Sequence, residues 1–485
     1  MTPSIAVIGG GVAGLAATRR LLRRSREGGQ RLDVTLLEAS DEPGGKVRTL
    51  HPEVPGLGPF VVEAGPDSFL TRKPEVLRII GEEHLTPSLI PTERGAHGSY
   101  VYSRGHPRRL PEGLVLMVPS RISPLLATDL LSPWGKARAL ADLVIPARRG
   151  GGDESLASFV KRRLGREVLE RVAEPLIAGI HAAEPETMSL LASFPRMLEM
   201  EGKHGSLIRA ALAGRRAPPP APPVVDGVPL SYFMSLRDGM GELARALVAS
   251  VADADIRRGH VASSLVRVGD RFEIGGKGWR VVADGVLIAT PAMVAADLLR
   301  AVSPRSAAIL REMRAIGAAT VSFAWRRGEI AQELLGHGFV IPREEGRRIM
   351  GVTYSSLKWQ GRSPDPDVVL LRAFVGGAHG QEVIGAGEEA VRQTALEEVS
   401  ALLGIPTAPL LAVVSLWPGG MPQYYLGHLE RVRSIEDALQ AELPGVRLAG
   451  ASYHGIGVPD CIGSGERAAD ALWDHLEGLG VARAN

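Results

Sequence analysis

Residues Ile5 to Gly14 read Ile-Ala-Val-Ile-Gly-Gly-Gly-Val-Ala-Gly, an apolar run that stops abruptly in glycine. Such a run is a buried strand, and Gly9, Gly11 and Gly14 fit the spacing G-x-G-x-x-G. A helical pattern follows through Leu22, and Asp33 to Leu37 reads as a second strand ending in Glu38. The first glycine permits a tight turn, the second lets a diphosphate approach the backbone, and the third lets helix and strand touch. Free N–H groups at the start of the helix then face the phosphates. A carboxylate at Glu38 accepts hydrogen bonds from an adenosine ribose. Strand, turn, helix, strand and acid in this order predict a dinucleotide site built from Gly9, Gly10, Gly11, Val12, Ala13, Gly14 and Glu38.

With 485 residues the chain exceeds one ordinary core, so two or three domains are expected. Apolar residues make up 45% and charged residues 23%, which suits a soluble globular protein. The net charge of +2 is too mild to imply nucleic acid, though it tolerates anionic substrates or an anionic membrane face. Cys461 is the single cysteine, which excludes an intrachain disulfide and any cysteine-cluster metal site. No metal is expected, and a reducing cytoplasm is the default location. The glycine turn starts so near Met1 that no signal peptide is expected, and no apolar run approaches the roughly 18 residues of a membrane span.

Beyond Glu38, Gly44-Gly45-Lys46 is a second glycine signal, read as a loop crossing the far side of the same dinucleotide. Phe60-Val-Val-Glu-Ala-Gly-Pro-Asp-Ser is a third, a strand entering a turn at Gly65, Pro66, Asp67 and Ser68 that reaches the redox end of a cofactor. Together the three resemble the flavoprotein oxidases of the amine oxidase superfamily, in which FAD lies extended along one domain. Nicotinamide enzymes, the competing class, lack a Gly-Gly-basic turn just past the ribose acid, so FAD is the expected cofactor.

From Tyr100 to about Gly152 the chain mixes apolar runs with isolated basic residues, giving either core helices or a helical surface that docks on a membrane, centred on residues 111 to 150. A linker follows at Arg148-Arg-Gly-Gly-Gly, then amphipathic helices over Asp153 to Leu164 and Glu167 to Ile180. His181 stands alone and reads as a packing residue. Pro218 to Pro223 is a proline-rich excursion. A helix to Val251 and a strand pair, from Gly259 and from Gly278, return the chain to the first domain, which Val286-Leu-Ile-Ala-Thr-Pro completes. Gly338 to Pro342, Met350 to Tyr354 and Leu370 to Gly377 are candidate pocket strands. Leu448 to Ala469 reads as strand, glycine turn and helix, with Pro459 in the first helical turn. There the backbone N–H groups of Gly457 and Val458 and the helix dipole are expected to stabilise charge on a reduced flavin.

Leu-Ala-Gly-Ala-Ser-Tyr-x-Gly at 448 to 455, Asp460-Cys-Ile, Pro422-Gln-Tyr with Gly427-His-Leu, Gly65-Pro66 after Glu63, and Phe194-Pro195 narrow the likeness. Over nearly its whole length the chain is similar to the oxygen-dependent protoporphyrinogen oxidases. The resemblance implies an α/β fold. A Rossmann-like FAD-binding domain takes residues 1–95, 231–295 and 417–485; a helical, membrane-docking subdomain takes 96–230; an α+β substrate domain takes 296–416. It implies non-covalent FAD, and a six-electron oxidation of protoporphyrinogen IX to protoporphyrin IX in haem biosynthesis, with oxygen as acceptor and peroxide released. Coproporphyrinogen III, with four propionates, is the alternative substrate, and a flavin amine oxidase the alternative enzyme. Carried over by motif, Lys46, Val261, Trp417, Gly450, Ile456, Gly457 and Val458 join the FAD site, and Gly179, His337, Val340 and Phe374 line the macrocycle pocket. Two positions depart from the pattern: Ser99 stands where a basic residue would pair with a propionate, leaving Arg94 or Arg104 to supply the charge, and His337 stands where an aromatic is expected. A homodimer and attachment to the inner face of the cell membrane are compatible with the resemblance.

Overall fold

The computed structural model describes residues 2–93, 98–111, 113–115, 118–119, 121–148, 150, 152–216 and 223–484. Its first layer grows from the opening stretch. Strand β1 (Ser4–Ile8) is buried, helix α1 (Val12–Gly28) leaves it through the glycines, and β2 (Asp33–Leu37) returns beside β1. Five parallel strands form this sheet in the order Asp255–Arg257, β2, β1, Gly285–Ile288 and Val446–Leu448. Consecutive parallel strands need crossovers, and the order reverses direction at β1, the switch point where ligands bind in open α/β sheets. The C-terminal helix Val458–Ala484 packs against α1 closely enough that a Cβ at Gly465 would lie 2.0 Å from the Ala13 carbonyl oxygen. Small residues at that crossing bring the two helix N-termini together.

A second layer is a seven-stranded sheet ordered His106–Arg109, Tyr100–Ser103, Gly338–Val340, Ile349–Tyr354, Val368–Gly376, Ala315–Arg326 and Leu411–Pro422. All its pairs are antiparallel except the one joining Tyr100–Ser103 to Gly338–Val340. One face packs on the helix Glu388–Leu403 through Val321, Phe323, Ala373 and Val375. The alternate residues face the first domain. Helices between Ile122 and Arg216 form a separate apolar core around Phe159, Leu169 and Ile177. Among the described residues no helix is long and apolar enough to cross a membrane.

Several local expectations change. Glu167 to Ile180 is no single α-helix: a π-helical turn, Leu169–Ala173, precedes the helix Glu174–His181. Pro175 explains it, since it has no N–H for the carbonyl of Arg171 and its ring crowds that carbonyl. The strand expected from Gly259 begins at Ser264, in a three-stranded sheet rather than a pair. Gly259 and His260 instead donate their N–H groups to the carbonyls of Ser40 and Glu38, leaving Val261 in a loop with 59% of its surface exposed. The extended segment Asp255–Arg257, unforeseen, is the edge strand of the first sheet. Leu411–Pro422 runs across the boundary expected at 416, and Tyr100 to Arg109 joins the seven-stranded sheet rather than the helical subdomain. Most of the proline-rich stretch, 217–222, lies outside the described residues.

Candidate active site

The three opening glycines answer to three different contacts. Gly9 has φ of +104°, and a Cβ there would stand 2.8 Å from the Ala289 carbonyl oxygen. At Gly14 the same atom would be 1.9 Å from the Gly9 carbonyl oxygen, so helix and strand meet backbone to backbone. At Gly11 it would meet nothing within 4 Å. That open side lies at the start of α1, whose N-cap, Gly11, supplies no side-chain hydrogen bond and whose first turn holds no acid. Unsatisfied N–H groups and the positive end of a helix dipole therefore face open space, as a diphosphate requires. Glu38 is buried beside them: its Oε2 accepts the Gly10 N–H at 2.6 Å, and its Oε1 accepts from the Ser40 N–H at 2.8 Å and hydroxyl at 2.6 Å. A carboxylate has about four acceptor sites, so capacity remains for a ribose. The Val261 loop adjoins this acid through His260.

The second glycine signal docks on the first, and the third on the second. Gly44 donates its N–H to the Gly10 carbonyl at 2.8 Å, and a Cβ at Gly45 would fall 3.1 Å from Gly11 Cα. Gly65 lies so close to Lys46 that a Cβ would be 1.9 Å from its carbonyl oxygen. Three side chains of the seven-stranded sheet hold the next link. Trp417 Nε1 donates to the Ala64 carbonyl at 2.7 Å, Thr320 Oγ1 to the same oxygen at 3.4 Å, and Arg372 to the Gly65 carbonyl. Asp67 accepts from Lys358 at 2.8 Å, Trp359 Nε1 at 3.1 Å and the Ser68 hydroxyl at 2.7 Å. Burial pushes its carboxyl upward, but Lys358 and Arg372 outweigh this and hold it below the usual carboxylate range. Asp67 and Ser68 thus secure the turn, with Pro66 half-buried between Gly65 and them.

At the far end the chain returns to α1. A Cβ at Gly450 would lie 3.9 Å from that of Ala13, and the Gly450 N–H donates to Ser464 Oγ at 3.0 Å. Ile456 and Gly457 lead into the helix that begins at Val458, where Gly457 accepts the Cys461 N–H at 2.9 Å. Gly457 has no side chain with which to cap this helix. Cys461 is buried near Lys46, and burial pushes its thiol up to about 12 while lowering the Lys46 ammonium. A protonated, enclosed thiol is no nucleophile at neutral pH.

Opposite the Ala64–Gly65 link, one row crosses the sheet by register: Val340, Gly351, Phe374, Thr320 and Ser415. Residues opposite one another share a face, so Val340 and Phe374 flank the side-chain-free position Gly351. Gly179 joins them from the helix Glu174–His181, its hypothetical Cβ 3.2 Å from Val340 Cγ1. His337 stands apart: its Nε2 lies 3.2 Å from the Glu93 carbonyl, outside the row. Ser99 is exposed, Arg104 is in a turn against Glu345, and Arg94 lies outside the described residues. His181, unpartnered in sequence, sits edge-on to Phe194 with ring centres 5.6 Å apart, and burial lowers its pKa to about 4. Among the described residues no cluster of His, Cys, Asp and Glu suits a metal.

The model of the flavin containing amine oxidoreductases matches residues 12–473. The chain belongs to this family. Among relatives, it is 33% identical to the coproporphyrinogen III oxidase of Bacillus subtilis, over 96% of this chain and 97% of the other. With the Staphylococcus aureus protein of the same name it shares 30% identity, over 98% and 100%. A solved structure from Exiguobacterium, provisionally named protoporphyrinogen oxidase, superposes with a TM-score of 0.83 at 27% identity, covering 98% of this chain and 99% of the other.

As a flavin-containing oxidoreductase the chain takes FAD, and the site fits it. The open side of Gly11, the uncapped start of α1 and the spare acceptors of Glu38 suit a dinucleotide. Sequence reasoning missed Arg372, Thr320 and the pair Lys358–Trp359. The available signal was Arg372 itself, a lone charge inside the otherwise apolar strand Val368–Gly376. A buried charge there demands partners.

Proposed function

We propose that this protein oxidises a porphyrinogen to the porphyrin, in three two-electron steps, with oxygen as acceptor and non-covalently held FAD. The observation that carries the reading is the row on the substrate sheet. Val340 and Phe374 offer an apolar wall, joined by the side-chain-free Gly351 and backed by Gly179, which packs on Val340, so a broad flat macrocycle suits the face. FAD, when bound, supplies a two-electron acceptor. The protein's part is to hold the macrocycle flat against Phe374, keep water away and fix the Gly65 link that Arg372, Thr320 and Trp417 grip. No acid–base pair is asked of it, since the reacting bonds are C–H and N–H bonds of the substrate itself. Buried, thiol-protonated Cys461 favours non-covalent attachment.

Coproporphyrinogen III is the preferred substrate over protoporphyrinogen IX, because the two bacterial relatives above carry that name at 33% and 30% identity. Steady-state assays with both porphyrinogens under oxygen test this: a higher kcat/KM for coproporphyrinogen is expected. A preference for protoporphyrinogen reverses the assignment, and no porphyrin from either by FAD-loaded protein sinks it.

We also propose that the helical subdomain rests on a membrane surface. Trp134 is 85% exposed, with Val144, Leu126 and Ile122 also outward and Lys136 and Arg121 among them. An exposed tryptophan within a basic, apolar surface matches an interfacial anchor. Flotation with anionic vesicles should carry the wild type and leave W134E behind; equal flotation of both removes Trp134 from the role.

A further inference from the structure

Pro422-Gln-Tyr and Gly427-His-Leu meet in the folded protein. The strand Leu411–Pro422 ends there, and the chain passes through Gln423 and Tyr424 to the helix His428–Glu442. Tyr424 and His428 are both buried and lie ring on ring, with centres 3.8 Å apart and planes within 15°. The Tyr424 hydroxyl donates to the Ala451 carbonyl and accepts the Gly455 N–H, each at 2.7 Å. His428 Nε2 donates to the Tyr453 carbonyl at 2.8 Å. Three hydrogen bonds therefore converge on the turn from Ala451 to Gly455, and the residues that follow are Ile456, Gly457 and Val458.

The opposite side of that turn is closed by its own helix, since a Cβ at Gly455 would fall 2.5 Å from Asp460 Cγ. The stacked pair is itself anchored: the Tyr424 carbonyl accepts the Ser189 N–H at 2.7 Å, and Gln423 Nε2 donates to the His181 carbonyl at 3.3 Å. Tyr453, one residue from the same bonds, has a buried hydroxyl with no partner. Of the two buried tyrosine hydroxyls, that of Tyr424 holds the turn and that of Tyr453 does not.

We propose that Tyr424, backed by His428, is a positioning residue for the cofactor, fixing the 451–455 turn and so the aim of the Gly457–Val458 backbone and helix N-terminus at the flavin. The inference rests on FAD as cofactor and is independent of which substrate is oxidised. Misaimed N–H groups and a misaimed dipole stabilise less of the negative charge gained on reduction.

Y424F keeps the stacked ring and removes both hydroxyl bonds. FAD release from diluted holoenzyme, read by flavin fluorescence, should show about tenfold weaker binding, the scale of one to two ordinary hydrogen bonds. The midpoint potential of the bound flavin should move negative by about 30 mV, a tenfold change for a two-electron couple. Y453F should match the wild type in both. A folded Y424F with wild-type affinity and potential overturns the proposal, as does an equal shift in Y453F. Should Y424F fail to fold, H428Q decides: it unstacks Tyr424, and the same negative shift in potential is expected, whereas an unchanged potential overturns the assignment.

Discussion

The nucleotide floor is made of backbone. Hypothetical Cβ atoms at Gly14, Gly65 and Gly465 would stand 1.9, 1.9 and 2.0 Å from carbonyl oxygens, and nothing flexible is there to move aside. The proposed substrate face, in contrast, is a row of side chains, Val340, Phe374, Thr320 and Ser415, on four strands of one sheet. A site built from backbone contacts accepts its cofactor or fails, since each glycine is fixed by a neighbour it touches. A face built from side chains changes what it accepts one rotamer or one residue at a time. A family with one cofactor and varied substrates is the expected result of that division.

The largest effect should come from the floor. Gly14→Val places carbon where the Gly9 carbonyl stands, so purified protein should carry less than about a tenth of the wild-type flavin per chain, consistent with lost helix–strand contact. A flavin-loaded G14V with an unchanged melting temperature would erase the contrast between the two regions. Next is the joint between them. Arg372→Met removes the cation facing Asp67 and Glu63 and releases the Gly65 carbonyl. Urea unfolding should show a loss of about 3–5 kcal/mol, typical of breaking one side of a buried charge pair.

Opposite pH slopes over the range from about 4 to 7 should then separate the two regions. Burial holds His428, on the cofactor side, to about 4, below its unfolded value of about 6.5. Its contribution is complete above pH 6.5 and drains away as pH falls toward 4, up to about 3 kcal/mol. On the pocket helix the sign reverses. Burial first, then Glu186 and Glu344, push Glu174 up to about 7, against the Arg343 N–H it accepts. That contribution is present below about pH 4.5 and is lost as pH rises through 7. Thermal melts of H428Q should therefore lose part of the fall in stability from pH 6.5 down to 4, and those of E174Q part of the fall from pH 4.5 up to 7; a common response of both variants would show one cooperative titration instead. The smallest effect belongs to the face itself: F374L should raise KM about three- to tenfold for the porphyrinogen while flavin content stays at the wild-type level. A fall in flavin content would mean that Phe374 serves the floor.

What the sequence revealed follows the same division. Gly9 to Gly14 and Glu38 were legible because their spacing belongs to one βαβ unit, in which Gly14 is kept bare by the Gly9 carbonyl and Gly10 by Glu38. The helix start at Val458 was legible too, announced by a strand, a glycine turn and Pro459. Asp67 was legible as a turn residue but not as the partner of Lys358 and Trp359, which lie nearly three hundred residues away. Arg372 belonged to a strand that was seen, yet its meaning depends on Gly65 and Asp67 across a domain boundary. The Asp255–Arg257 edge strand escaped because three residues carry almost no periodicity, and Val261 was drawn into a strand by apolar alternation that the hydrogen bonds of Gly259 and His260 interrupt.

The crossing of α1 with the last helix also has a consequence for biosynthesis. A chain leaving the ribosome presents the diphosphate end of its cofactor site first, while the flavin end and the Gly465 contact on Ala13 arrive only when the final helix has emerged. Until then Leu15, Leu21 and Leu22 have no Leu472 or Trp473 to complete their cluster. A messenger truncated just short of Val458 therefore yields a product with the whole seven-stranded sheet but a first helix whose apolar face lacks its partner.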